Sequence, residues 1–121
     1  MRRILIVDDN ALNLELARDV LELDAFEVET ASTGEEGVAM VRSNPPDLVL
    51  MDLRMPGISG LEALEILRRD GFDDLPVVVL TASVMKGEKE RLIGMGFNGF
   101  LQKPIDAGSF ADEVSSFLKK R

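Results

Sequence analysis

The chain has 121 residues, 45% of them hydrophobic, with no cysteine and no histidine. That is one domain's worth of chain, and it excludes disulfides, thiolate or imidazole metal sites, and Ser–His or Cys–His catalysis. Asp and Glu number 22 against 14 Lys and Arg, a net charge of −8, which argues against nucleic-acid binding and leaves a hard, oxygen-bound cation as the metal that suits the composition. The first strand-length run is RILIVD (3–8), which ends in the adjacent acids Asp8 and Asp9. A helix is expected over 10–23, with Leu14, Ala17 and Leu21 on one face and Leu16, Val20 and Leu23 widening it; Asp9 or Asn10 could cap it. FEVET (26–30) alternates Phe26, Val28 and Thr30, the pattern of an edge strand.

Ser32–Glu35 and Thr33–Glu36 both match a capping box, predicting a helix over 33–42 that Pro45 and Pro46 prevent from continuing. DLVLMD (47–52) is a third strand, followed by a helix over 59–70 with Leu61, Leu64 and Leu67 on one face and Gly71 as its stop. PVVVLT (76–81) is a fourth strand. The helix expected over 84–95 is polar and carries Gly87 and Gly94, residues that weaken a helix interior. GFLQK (99–103) is the fifth strand. The last helix, 106–120, spaces Phe110, Val114 and Phe117 at i, i+4, i+7 and places Lys119, Lys120 and Arg121 at its negative end. Strand alternating with helix five times, with strands apolar throughout their middles, predicts an α/β fold: a flavodoxin-like, doubly wound (βα)5 domain with a parallel sheet ordered 2-1-3-4-5. Residues 1–121 are expected to be this single domain, with no output domain. No apolar run approaches the ~20 residues of a membrane span, and the four apolar residues after Met-Arg-Arg are too few for a signal-peptide core, so a soluble, cytoplasmic protein is expected.

In such a sheet ligands bind beyond the carboxyl ends of the strands, where the strand order reverses. Here that point lies between the first and third strands, so Asp8, Asp9 and Asp52 should converge on one crevice, with Thr81 and Lys103 on the same rim. Each has an ordinary alternative: a helix cap, a turn, a β-branched strand residue, a solvated strand end. Together they are harder to explain that way. Two unit charges ~4 Å apart repel by about 4 kcal/mol at an effective dielectric of 20, so three clustered carboxylates require a cation, a proton or a lysine. Mg²⁺ suits oxygen ligands and phosphoryl chemistry, and a carboxylate can itself become an aspartyl phosphate.

VDDN, LMDLRMPGISG, LTAS and FLQKP, in that order, resemble the receiver domain of two-component response regulators over essentially the whole chain. The stretch VMKGEKERLIGMGFNGFLQKPI resembles more narrowly the DivK-like single-domain regulators and the receivers of hybrid kinases. The resemblance implies that Asp52 is the phosphoacceptor and that Mg²⁺ is the cofactor. The metal would be held by Asp9, by Asp8 largely through water, by Asp52 and by the backbone carbonyl of Arg54. It implies that Lys103 pairs with phosphoryl oxygens, that Thr81 and Phe100 form the switch, and that the Lys103–Pro104 peptide is cis. Arg54 and Ser83 fall where the family tunes water access to the phosphoryl group. The implied donor is a phosphohistidine on a histidine kinase or histidine phosphotransferase, docking over Ala11, Leu14, Pro104 and Ile105. The implied output is a protein target bound at the face of the fourth helix, fifth strand and fifth helix, with Met85, Lys86 and Glu90 as candidates. A monomer or a phosphorylation-dependent dimer fits, with no membrane partner.

Two rival readings differ in class. A Mg²⁺-dependent aspartyl-phosphate phosphatase on a related fold usually carries D-x-D-x-T, whereas Asp52 is followed by Leu53 and Arg54. A flavin-binding electron carrier would need a Ser/Thr/Gly-rich phosphate loop after the first strand and an aromatic to stack on the flavin; the chain has no Trp or Tyr.

Overall fold

The computed structural model describes residues 2–82 and 87–118. In chain order they form β1 (Arg3–Val7), α1 (Ala11–Leu23), β2 (Glu27–Ala31), α2 (Gly34–Ser43), β3 (Leu48–Asp52), α3 (Gly60–Arg69), β4 (Val77–Thr81), α4 (Glu88–Gly94), β5 (Gly99–Gln102) and α5 (Phe110–Ser116). The strands make one parallel sheet in the order β2-β1-β3-β4-β5, as the alternation predicts. FEVET therefore supplies an edge strand.

The continuous apolar runs follow from burial on both faces. Leu5, Val7, Val49, Met51, Val77 and Val79 turn to one side and pack with Val38 and Val41 of α2, Leu64 and Leu67 of α3 and Leu92 of α4. Their neighbours Ile4, Ile6, Leu48, Leu50, Val78 and Leu80 turn to the other side and meet Ala17 and Leu21 of α1 and Phe110 and Val114 of α5. Each such side chain contributes about 1.5–3 kcal/mol by leaving water.

Three helices end in the same way. After α1 the N–H of Phe26 bonds the carbonyl of Leu21 at 3.2 Å; after α3, Phe72 bonds Leu67 at 3.1 Å; after α4, Phe97 bonds Leu92 at 3.3 Å. Each is a Schellman closure, which needs a left-handed residue just before the Phe. Two of the three use glycine, Gly71 (φ 94°) and Gly96 (φ 113°), but the first uses Ala25 at φ 67°. A left-handed L-residue costs ~1–2 kcal/mol, partly offset by the lower unfolded-state entropy of Ala against Gly. Ala25→Gly is therefore expected to raise stability by about 0.5–1 kcal/mol, read as a higher urea midpoint at unchanged slope; an unchanged or lower midpoint counts against the strain.

Elsewhere the structure departs from the sequence expectation. The last helix starts at Phe110, not at residue 106. Asp106 instead builds a turn, its carboxylate accepting from Gly108 N at 2.9 Å and its carbonyl from Phe110 N at 2.8 Å. This is a local alternative that Asp readily offers the backbone. The helix is over by Ser116, although Phe117 and Leu118 still pack on the core; Lys119, Lys120 and Arg121 lie outside the described residues. Leu16 and Leu23 do not widen the core face of α1. They stand 45% and 88% exposed, with Leu12 at 76%. The core-facing arc is narrow because α1 contributes only Ala17 and Leu21 as buried residues.

Candidate functional site

Asp8 is the first residue past β1. Its N–H still bonds Ala31 O of the neighbouring strand at 3.0 Å, so the backbone stays in register while the side chain is wholly buried. The N-cap of α1 is Asn10, whose side chain accepts from Leu12 N and Asn13 N at 3.0 and 3.2 Å. Neither Asp8 nor Asp9 is needed to start the helix. Asn10 N donates to Oδ1 of Asp8 at 3.0 Å. Oδ2 of Asp8, also buried, receives no hydrogen bond.

Asp52 closes β3, next to β1 in the sheet. Oδ1 of Asp52 accepts from Arg54 N at 3.4 Å. One carboxylate oxygen from each of Asp8, Asp9 and Asp52 lies within 4.8 Å of the others; Asp8 is buried, Asp52 half-buried and Asp9 exposed. Lys103 follows β5 and is tied to β4 by its N–H, which bonds Thr81 O at 2.7 Å. Its ammonium reaches across the strand ends to 2.7 Å from Asp8 Oδ2 and 3.4 Å from Asp52 Oδ2. The first contact is a close ion pair, and Lys103 is the one described partner of the buried Oδ2 of Asp8.

Charge crowding shows in the ionisation of these groups. Burial pushes the Asp52 carboxyl above the usual carboxylate range; Lys103 pulls it back and Asp8 adds to the rise. Burial alone would lower the Lys103 ammonium, but its pairing with Asp8 and Asp52 outweighs that and holds it above the ordinary lysine value. Lys103 thus offsets part of the charge of a three-carboxylate cluster, and the buried Oδ2 of Asp8 has room for another positive partner. The set is all-oxygen and anionic, and it fits a hard divalent cation.

Beside the cluster lies a cleft of ≈ 200 Å³, lined by Asp52, Leu53, Arg54, Thr81, Ala82, Glu88 and Lys103. Thr81 ends β4 and is 8% exposed. Phe100 pairs with Val79 on the neighbouring strand, so it shares a sheet face with Thr81 two residues on. It is half-buried against the core beneath α2, α3 and α4. The Lys103–Pro104 peptide is cis.

Residues 4–115 match the response regulator receiver domain. The chain belongs to that family. It is 36% identical over 118 residues to the polar-differentiation response regulators DivK of Brucella ovis and Brucella anthropi, a match covering 97% of this chain and 96% of theirs. In structure it is similar to the chemotaxis response regulator CheY4 of Vibrio cholerae, with a TM-score of 0.90 and 26% identity over 98% of this chain and 99% of that one. It is also similar to a CheY-like receiver domain from Methanospirillum hungatei JF-1, with a TM-score of 0.85 and 26% identity over 96% and 92%. Receiver domains are signalling proteins of two-component systems, not metabolic enzymes.

In this receiver domain Asp8, Asp9, Asp52, Thr81 and Lys103 all gather at the carboxyl edge of the sheet. The four residues expected to meet a phosphodonor are less uniform. Ala11 and Pro104 are exposed, while Leu14 and Ile105 pack partly against the core between the sheet and α1 and α5. Ser83, Met85 and Lys86 lie outside the described residues. The helix expected over 84–95 spans Glu88–Gly94, with Gly87 as its left-handed N-cap and not in its interior; Glu90 is exposed on α4. Three site features escaped the sequence reading. Glu88 lines the cleft only because α4 is set beside β4, and nothing in a polar helix distinguishes one Glu from the next. The exposed Leu12 and Leu16 look like core leucines in sequence. Gly60 packs against the backbone of Asp52; its signal was a glycine one residue after a capping serine, inside a helical pattern.

Proposed function

We propose that this receiver domain is a phosphorylation-driven switch in which Asp52 accepts a phosphoryl group from a phosphohistidine on a histidine kinase or histidine phosphotransferase. The observation that carries the reading is the three-carboxylate cluster with Lys103 bridging Asp8 and Asp52, opening onto a cleft at the carboxyl edge of the sheet. Asp52 Oδ attacks phosphorus while the phosphorus–nitrogen bond breaks and the imidazole nitrogen keeps the electron pair. Lys103 already stands within ion-pair reach of Asp52 and receives part of the incoming charge, roughly −1.5 to −2 at neutral pH. Mg²⁺ held by Asp8, Asp9, Asp52 and the Arg54 carbonyl would neutralise charge on the transferring oxygens.

The hydroxyl of Thr81 serves a further phosphoryl oxygen. Its inward movement frees space on the sheet face it shares with Phe100, and rotation of Phe100 changes the α4–β5–α5 surface that a protein target reads. Residues 1–121 then act as a single receiver domain in the cytoplasm, without nucleic-acid or membrane binding, as a monomer or a phosphorylation-dependent dimer. Ala11, Leu14, Pro104 and Ile105 belong to the donor's docking patch.

The test is Mg²⁺-dependent labelling from acetyl phosphate and from a panel of phosphorylated histidine kinases. Asp52→Asn is expected to abolish the label. Label persisting at the full level in that variant would place the acceptor elsewhere. Turnover of small phosphate esters would favour the phosphatase reading instead.

A further inference from the structure

We infer that Glu88 is a specificity-determining residue of the phosphoacceptor cleft, disfavouring highly anionic donors and so favouring those whose nitrogen leaving group is protonated. The inference rests on the reading of Asp52 as acceptor. Glu88 opens α4 and lines the same cleft as Asp52, Thr81 and Lys103. It is half-buried, and among the described residues it takes part in no ion pair or hydrogen bond. The charge of Lys103 is already divided between Asp8 and Asp52. Arg54, the other cation of the cleft, is exposed, where water screens it. Among the described residues the wall contributed by Glu88 therefore carries a carboxylate that no ion pair offsets, facing the space an incoming phosphoryl group must enter. Like charges in a partly desolvated cleft repel over several ångströms, and the repulsion scales with the donor's charge.

Two small donors separate this effect from general changes in the site. In both reactions a bond forms from an Asp52 carboxylate oxygen to phosphorus as the bond from phosphorus to the leaving atom breaks. Acetyl phosphate loses acetate, the oxygen keeping the electron pair. Phosphoramidate, whose protonated nitrogen cancels part of its negative charge, loses ammonia. Glu88→Gln is expected to speed labelling by acetyl phosphate about three- to tenfold and labelling by phosphoramidate distinctly less. Glu88→Asp should stay close to wild type with both. Added salt should raise the acetyl phosphate rate of wild type more than that of Glu88→Gln. Glu88→Ala repeats the test should the glutamine variant misfold. Acceleration of both donors by the same factor, or of neither, overturns the assignment of Glu88 while leaving Asp52 as acceptor. Wild type unlabelled by either donor overturns the acceptor reading and this inference with it.

Discussion

Lys103→Met is expected to cost the metal-free protein about 3 kcal/mol, because removing one partner of a buried ion pair leaves the other charge without compensation. The side chain of Asp8 is 0% exposed and that of Lys103 13%. Oδ1 of Asp8 keeps its bond from Asn10 N, but Oδ2 has no hydrogen bond to fall back on. Against a domain stability of ~5–15 kcal/mol such a loss is large. Added Mg²⁺ should return much of it, since a divalent cation can replace the missing charge; a ligand at 100 times its dissociation constant adds about 2.7 kcal/mol. The measurement is urea unfolding of wild type and variant in chelator and in excess Mg²⁺. A gap that stays the same in both conditions would mean that the cluster holds no cation. A variant as stable as wild type in chelator would mean that Lys103 does not compensate Asp8.

Asp52 works in the opposite direction. Its carboxyl is pushed up by burial and by Asp8 in spite of Lys103, so the folded state holds its proton more tightly than the unfolded chain does. That preference stabilises the metal-free fold below the ordinary carboxylate pKa and is lost as pH rises through the raised value. At neutral pH an ionised Asp52 is thus a burden on the metal-free fold, which is consistent with a residue kept for chemistry and not for stability.

The sheet was legible because burial on both faces writes itself as unbroken apolar runs. LVLM and VVVL have no other comfortable place in a domain of this size, and the site followed because charge at the end of such a run is conspicuous. The features that were not legible depend on neighbours far away in sequence. Phe110, Val114 and Phe117 have helical spacing, yet the helix could not begin at residue 106 once Asp106 turned its carboxylate to Gly108. Leu12, Leu16 and Leu23 are indistinguishable in sequence from Leu21, and only the position of the sheet decides which of them is buried. Arg68 is a plain surface arginine in sequence, yet it donates to the carbonyls of Phe72, Leu75 and Gly96 and to Asn98, locking the loops after α3 and α4 together at the edge opposite the site. One local signal was present and unread. LELDAF, LRRDGF and LIGMGF share Leu, then Gly or Ala, then Phe at fixed offsets, and all three close a helix with the same hydrogen bond.

Gly60→Ala tests how the site is braced from below, and its sign is diagnostic. Helix propensity alone would make the change stabilising by up to ~1 kcal/mol, and Gly60 needs no special backbone angle, since its φ is not among the positive ones. The contact is what opposes it: a Cβ at Gly60 would sit 2.3 Å from the carbonyl oxygen of Asp52 and 3.0 Å from Leu53 Cα. Those are backbone atoms and cannot rotate away. The start of α3 is also held, by the Ser59–Glu62 capping box, by the bond from Gly60 N to Leu53 O at 2.9 Å and by the burial of Ala63, Leu64 and Leu67. Either α3 withdraws from the sheet or the end of β3 moves, carrying Asp52 away from Asp8 and Lys103. A loss of about 2–3 kcal/mol is expected, in the range of overpacked cores, together with weaker Mg²⁺-dependent stabilisation. Gly94→Ala is the matched control. A Cβ there meets nothing within 4 Å, so that change should be neutral or stabilising. A stabilising Gly60→Ala with undiminished metal response would show that α3 does not fix the end of β3, and the positioning of the acceptor aspartate would have to come from the other strands alone.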